Sequence, residues 1–326
     1  MEYKLPENLG TRNQNELYAL AGAVLRSDDL NIVLDASEVK FIDPHGIAVL
    51  GALLSPLRDR NISMPWLSVN YAGYLNRMDF FQHCNIDGVN IPEWSRHPHP
   101  DRLVELTCIT DSTKTDEIAN KLADAITGRL TRATPDENLD SEGKNQYLRF
   151  RYPLWYSLSE LLENAVTHAR THGFLQSNVW VAAQYYEGNK EVKMSVVDNG
   201  CGLLKSLYKE PELRDKTHLS AIRTALMERV SCNRNSPYIY GHANQGVGLT
   251  TTMRIANGAR GKLMIASGNA YLETATMRGS ILPSDGLWNG VSIAFSCRRH
   301  ALPGISVRKL LPDTDMDFRG RLNFVE

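Results

Sequence analysis

The chain holds little cysteine, almost no net charge and no long apolar run. Its five cysteines (Cys84, Cys108, Cys201, Cys232, Cys297) are odd in number, scattered and never spaced as Cys-x-x-Cys. This argues against a disulfide framework or a structural zinc and fits a reducing compartment. A formal net charge of -1 gives no support to a nucleic-acid-binding or membrane-surface protein. No stretch of about 18 apolar residues occurs, and the start Met1-Glu2-Tyr3-Lys4-Leu5-Pro6 has no basic region leading into an apolar one. A soluble, cytoplasmic protein without membrane contact is therefore expected. Repeats and low-complexity segments are also missing. What is present, 42% hydrophobic residues over 326 positions, is enough for two ordinary cores.

The first hundred residues alternate between the two periodicities. Gln14 to Arg26 reads as an amphipathic helix, Asn31 to Asp35 as a short apolar strand, and Phe41-Ile42-Asp43-Pro44-His45-Gly46 as a segment that turns into a helix over Ile47 to Arg60. A strand over Met64 to Val69 and a short helix over Leu75 to Phe81 complete a small α/β sheet domain. Three prolines with polar neighbours between Ile91 and Pro100 mark a boundary. His97 and His99 in that linker lack a cysteine or carboxylate at ligand spacing and read as linker residues.

The second region begins with a strand over Leu103 to Ile109 and a helix over Asp116 to Arg132. A polar segment, Ala133 to Asn145, reads as a loop. Next comes Ser159-Glu160-Leu161-Leu162-Glu163-Asn164-Ala165-Val166-Thr167-His168. Leu158, Leu161, Leu162, Ala165 and Val166 recur at helical spacing, so Glu160, Asn164 and His168 share the opposite face. A carboxylate beside an amide suits a Mg²⁺ ion and a water; Glu163 lies about 60° round the helix and is the second choice of acid. Strands Val179 to Tyr186 and Glu191 to Asp198 follow, joined by a turn at Glu187 to Lys190. The second strand runs into Asp198-Asn199-Gly200-Cys201-Gly202. There, missing Cβ atoms let backbone approach a flat ligand and the carboxylate can accept a hydrogen bond. Cys201 in that turn is the thiol to test by alkylation. Gly246-Val247-Gly248-Leu249 opens a helix ending at Asn257-Gly258, whose first N–H groups and dipole favour phosphate oxygens. Strands over Lys262 to Ser267 and Gly290 to Cys297 close the sheet.

In this order the three motifs resemble the GHKL superfamily of ATP-binding domains, shared by DNA gyrase, the ninety-kilodalton heat-shock chaperones, sensor histidine kinases and the MutL mismatch-repair proteins. The resemblance implies a Bergerat α/β sandwich with ATP and Mg²⁺ as cofactors. It assigns Glu160 to orienting or activating the attacking group, Asn164 to Mg²⁺, and Asp198 to the adenine amino group. Gly200 and Gly202 would lie under the base, and Gly246, Val247, Gly248 and Leu249 at the phosphates. The stretch from Leu203 to Gln245, with Lys205, Lys209, Arg214, Lys216, Arg223, Arg229 and Arg234, corresponds to the lid over the nucleotide. One departure stands out: where the family usually has Thr after Gly290, this chain has Val291, then Ser292.

The first hundred residues are similar to a STAS domain, the fold of bacterial anti-sigma-factor antagonists, on Val33-Leu34-Asp35-Ala36-Ser37 and Phe41-Ile42-Asp43. In those antagonists a kinase phosphorylates a serine just before the glycine that opens the next helix. Here that position is His45, after Pro44, which removes the hydroxyl and favours a packing or docking role. The expected whole is an α+β protein with a STAS-like domain over 1–95, a GHKL-type domain over 101–300 and a tail over 301–326. Its closest flavour is the anti-sigma-factor kinases of bacteria: an ATPase or serine/threonine-kinase-like switch with a protein partner, homodimerisation being left open. The competing expectations are an ATP-gated binding switch without turnover, a sensor histidine kinase and a DNA-linked ATPase. The last two want, respectively, a helical phosphoacceptor segment before the ATP domain and a transducer domain after it.

Overall fold

A computed structural model describes residues 1–93, 99, 102–110, 112–127, 139, 141, 143–170, 172–174, 177–228, 230 and 248–311. The chain starts with β1 (Glu2–Lys4), β2 (Asn8–Leu9), α1 (Gln14–Arg26), β3 (Asn31–Asp35), β4 (Phe41–Ile42), α2 (Pro44–Leu54), β5 (Asn61–Ser63), α3 (Val69–Arg77) and α4 (Phe80–His83). Strands β1, β3 and β5 form a parallel sheet in that order, and β2 pairs in parallel with β4. Parallel neighbours need crossovers, and α1 and α2 lie in them.

Three elements of this part differ from the sequence reading. Helix α2 starts at Pro44, not Ile47, because the Asp43 carboxylate accepts the backbone N–H of His45 (3.0 Å) and Gly46 (3.1 Å) and proline suits the first turn. It stops at Leu54, just before Ser55 and Pro56. The strand expected over Met64 to Val69 is at Asn61–Ser63 instead, since Pro65 and Trp66 (φ 63°) turn the chain and Val69 opens α3. Left-handed Asp79 (φ 58°) then splits the helical run into α3 and α4.

The remainder comprises β6 (Leu103–Ile109), α5 (Thr115–Thr127), α6 (Gln146–Ala169), β7 (Val179–Tyr186), β8 (Glu191–Asp198), α7 (Gly202–Ser206), α8 (His218–Ala225), α9 (Gly248–Gly258), β9 (Lys262–Gly268), β10 (Ala270–Glu273), β11 (Arg278–Ile281), β12 (Trp288–Arg298) and α10 (Val307–Leu310). The strands make one seven-stranded antiparallel sheet, β11-β10-β9-β12-β8-β7-β6. Strands β7 and β8 and their turn occupy the residues expected. The turn between β7 and β8 takes Lys190 through a left-handed conformation (φ 53°). Hairpin β10–β11 was not anticipated.

Alternation along the strands gives the sheet two apolar faces. Val181, Val196, Ile265 and Phe295 pack with α5, α6 and α9 on one face. On the other, Leu106, Trp180, Ala182, Val197 and Trp288 join Leu17, Ile47, Leu50 and Leu53 of the N-terminal part in one continuous core. Helix α2 thus lies between its own small sheet and the large one, and every residue from Pro44 to Leu54 is buried. That is why its sequence is apolar all round instead of striped. Each fully buried Leu or Ile here contributes roughly 1.5–3 kcal/mol. Among the described residues no helix is long and apolar enough to cross a membrane.

Candidate functional site

Helix α6 sets one edge of the site. Leu154, Leu158, Leu161, Leu162 and Val166 sink into the core, leaving Glu160 and Asn164, one turn apart, half-buried, while Glu163 is exposed. The Glu160 carboxylate lies against the start of α9: a Cβ on Gly248 would fall 1.9 Å from Glu160 Oε2. A glycine is what lets the two helices meet there. Burial, with the nearby Glu163 charge adding to it, pushes the Glu160 carboxyl up to about 7; a hydrogen bond from Tyr156, one turn earlier, opposes the shift.

The first turn of α9 offers backbone N–H groups without intrahelical partners. Leu249 packs half-buried against the helical core. Behind it, Thr251 and Thr252 are wholly buried; the Thr251 hydroxyl lies beside that of Tyr156, and Thr252 Oγ1 finds no hydrogen-bond partner among the described residues. Gly246 and Val247 lie outside the described residues.

The other edge is the end of β8. Asp198 is 2% exposed and, by alternation with Val196, faces the helices. Its Oδ1 accepts the Gly200 N–H at 2.9 Å, Val291 N–H also donates to the carboxylate, and its backbone carbonyl accepts Trp288 Nε1–H at 2.9 Å. Burial outweighs the two N–H donors and pushes the carboxyl up to about 7. Gly200 packs on the C-terminal end of α6, where a Cβ would come within 2.3 Å of the Ala169 carbonyl oxygen. Gly202 opens α7 at φ 74°. Ser267 Oγ accepts Leu203 N–H (3.0 Å) and donates to the Gly290 carbonyl (2.9 Å), tying α7 to β9 and β12.

The structure therefore places Glu160 against Gly248 at the α6–α9 contact, with Asn164 one turn further along α6 and Leu249 next to Gly248; the turn after Asp198 packs through Gly200 on the far end of the same helix, and Gly202 lies against β9 and β12. The side chain of His168 and the expected lid residues Arg229 and Arg234 fall outside the described residues. Of the other cations expected there, Lys205 Nζ lies 4.8 Å from the centre of the Phe174 ring and Lys216 donates to the Tyr208 carbonyl (2.5 Å). Arg254 donates to the Leu310 carbonyl (2.8 Å) and pairs with Glu228, tying α9 to α10. Cys201 is buried.

Sequence reasoning missed Tyr156, Trp288, Ser267 and the two threonines. Tyr156 had a signal, lying four residues before Glu160, and Thr251 and Thr252 follow Gly248 on α9; Trp288 and Ser267 act across strands and carried none. Ser292 does not take the place of the expected threonine, because its hydroxyl lies on the opposite face of β12 and accepts from Tyr18 (2.9 Å).

No group of three His, Cys, Asp or Glu side chains able to hold a metal by themselves occurs among the described residues. Mg²⁺ fits this donor set only in the manner usual for that ion, with one or two protein oxygens completed by water and phosphate. A surface cavity of about 330 Å³ beside Arg102, Tyr185 and Glu187 lies at the opposite end of β8 from Asp198. No protein-family model matches the chain, and neither a curated protein nor a solved structure does.

Proposed function

We propose that this is a Mg²⁺-dependent ATP-binding regulatory protein of the GHKL type, an ATPase or a serine/threonine-kinase-like switch. In this reading the seven-stranded sheet with α5, α6 and α9 is a Bergerat sandwich and the N-terminal part is STAS-like. A cytoplasmic setting and a protein partner belong to the same proposal. The observation that carries it is the placement of two carboxylates, half-buried Glu160 and buried Asp198, at either end of one helix stretch. Ala169, the residue against which the turn after Asp198 packs, is nine positions beyond Glu160, and at 1.5 Å per residue this is about 14 Å. That span suits an extended nucleoside triphosphate, with the base at Asp198 and the terminal phosphate at Glu160.

The chain's own groups divide the work as follows. The Asp198 carboxylate accepts from an exocyclic amino group of the base. The N–H groups at the start of α9 and the buried Thr251 and Thr252 hydroxyls supply donors for phosphate oxygens. Asn164 Oδ1 is the protein ligand for Mg²⁺, which when bound neutralises phosphate charge. Glu160 orients a water or hydroxyl and takes its proton, and Tyr156 holds the carboxylate in place.

The test follows γ-labelled ATP with Mg²⁺, separating free phosphate from protein-bound label, in wild type and Glu160→Gln. The expected result is release or transfer by wild type that falls at least about 100-fold in the variant. Because only the ionised carboxylate accepts a proton, kcat/KM should climb with pH and level off above about 7. Intact ATP held by wild type would favour the binding switch without turnover, and no binding at all would remove the reading.

A further inference from the structure

Between the N-terminal part and the large sheet lies a polar cluster inside an otherwise apolar core. Tyr18 of α1 and His45 of α2 are 0% and 2% exposed. Tyr18 Oη lies 3.0 Å from His45 Nε2 and 2.9 Å from Ser292 Oγ, and His45 Nδ1 lies 2.9 Å from Ser195 Oγ. Burial holds the imidazole at about 4, so the ring is neutral near pH 7 and presents one donor and one acceptor. With the proton on Nδ1, His45 donates to Ser195, which passes its own hydroxyl hydrogen to the Ile293 carbonyl (3.3 Å). With the proton on Nε2, His45 donates to Tyr18, which donates on to Ser292. Either tautomer joins both ends of the cluster.

All three threads from this cluster end at one residue. Ser195 stands on β8 three positions before Asp198. Ser292 follows Val291, whose N–H donates to the Asp198 carboxylate. The Tyr18 ring packs 6.4 Å, centre to centre, from Trp288, whose indole N–H holds the Asp198 carbonyl. Beside the cluster, Asp43 is anchored by Lys193 Nζ (3.1 Å) and Thr11 Oγ1 (2.6 Å), fixing the start of α2 on β8.

We propose that Tyr18 and His45 are positioning residues for Asp198, so that the N-terminal part sets the geometry of the base site from behind the sheet. The functional half of this inference rests on the ATP reading; the structural half does not. Hence it needs two measurements. Hydrogen exchange in nucleotide-free protein reads the amides of Gly200 and Val291, and equilibrium binding reads Mg-ATP against Mg-GTP.

Tyr18→Phe, which keeps the ring and removes only the hydroxyl, should speed exchange of both amides about tenfold. Amides in the middle of β7 should stay as they are. ATP should bind about tenfold more weakly, with a smaller preference over GTP, at temperatures where the variant is fully folded. His45→Leu should behave alike, while His45→Asn, which restores a polar atom facing Ser195, should recover part of both effects. A merely structural role would lower the melting temperature and leave the base preference alone. Unchanged exchange at Gly200 and Val291 overturns the proposal whatever ATP does. So does faster exchange with unaltered ATP affinity and preference. A wild type that binds no nucleotide overturns the ATP reading and with it the functional half, and the amides then decide whether the clamp on Asp198 exists.

Discussion

Asp198→Asn is expected to abolish measurable ATP binding and, at pH 8, to raise the melting temperature. Asparagine keeps one oxygen for the Gly200 N–H, but its amide nitrogen then faces the amino group of the base, donor against donor. Such a buried mismatch costs the pairing and a desolvation penalty, so affinity should fall at least about 100-fold. Stability moves the other way. The carboxyl sits at about 7 in the folded protein against 3.8 as its ordinary value, so its contribution is full below 3.8 and is lost as pH rises to 7. The loss at pH 8 is on the order of 4 kcal/mol, and removing the charge recovers part of it. A rise of roughly 5 °C at pH 8 that shrinks at pH 5 is the expected pattern in thermal melts. Unchanged ATP affinity, or a lower melting temperature at pH 8, would sink the assignment of Asp198 as a functional carboxylate held at a cost to the fold.

Gly290→Ala should be strongly destabilising for a single added methyl. Its Cβ would stand 2.0 Å from the Asp198 carbonyl oxygen and 2.5 Å from Oδ1. Both strands are fixed there, since Gly290 accepts from Ser267 and Asp198 from Trp288, so neither backbone can retreat alone. A loss on the order of 4 kcal/mol is expected, with weakened nucleotide binding in whatever remains folded. Gly188→Ala is the control: nothing stands within 4 Å of its Cβ position, in the β7–β8 turn, and its effect should stay within about 0.5 kcal/mol. Equal melting temperatures for the two variants would show that β12 is free to shift at Asp198.

The parts legible from sequence were those whose partners lie near in the chain. Helix α1, strands β7 and β8 with their turn, and the line of Glu160 and Asn164 along α6 each follow from a local period. The start of α2 was also written locally, as Asp43 before Pro44, yet the apolar run from Ile47 drew the boundary too late. Hairpin β10–β11 escaped because edge strand β11 pairs on one side only and leaves Arg278 and Ile281 exposed, so its sequence does not alternate. The clamp behind Asp198 had no signal at all. Tyr18 and Ser292 are 274 positions apart, and a buried tyrosine, histidine or serine reads singly as ordinary core or surface. Nor did any pattern show that α2 would be covered on both sides.

That last feature bears on how the protein can be cut. The proline-containing stretch from Ile91 to Pro100 looks like a natural place to separate two expression products. A fragment ending at 95 would bare the side of α2 carrying Ile47, Leu50 and Leu53, and one starting at 101 would bare Leu106, Trp180, Ala182 and Val197. Apolar faces of that extent drive association. Each piece made alone is expected to aggregate, and the two made together in one cell to recover as a non-covalent pair that elutes with the intact chain in size-exclusion chromatography. The N-terminal part would then behave as a permanent lining of the sheet, retained by every molecule through its working life.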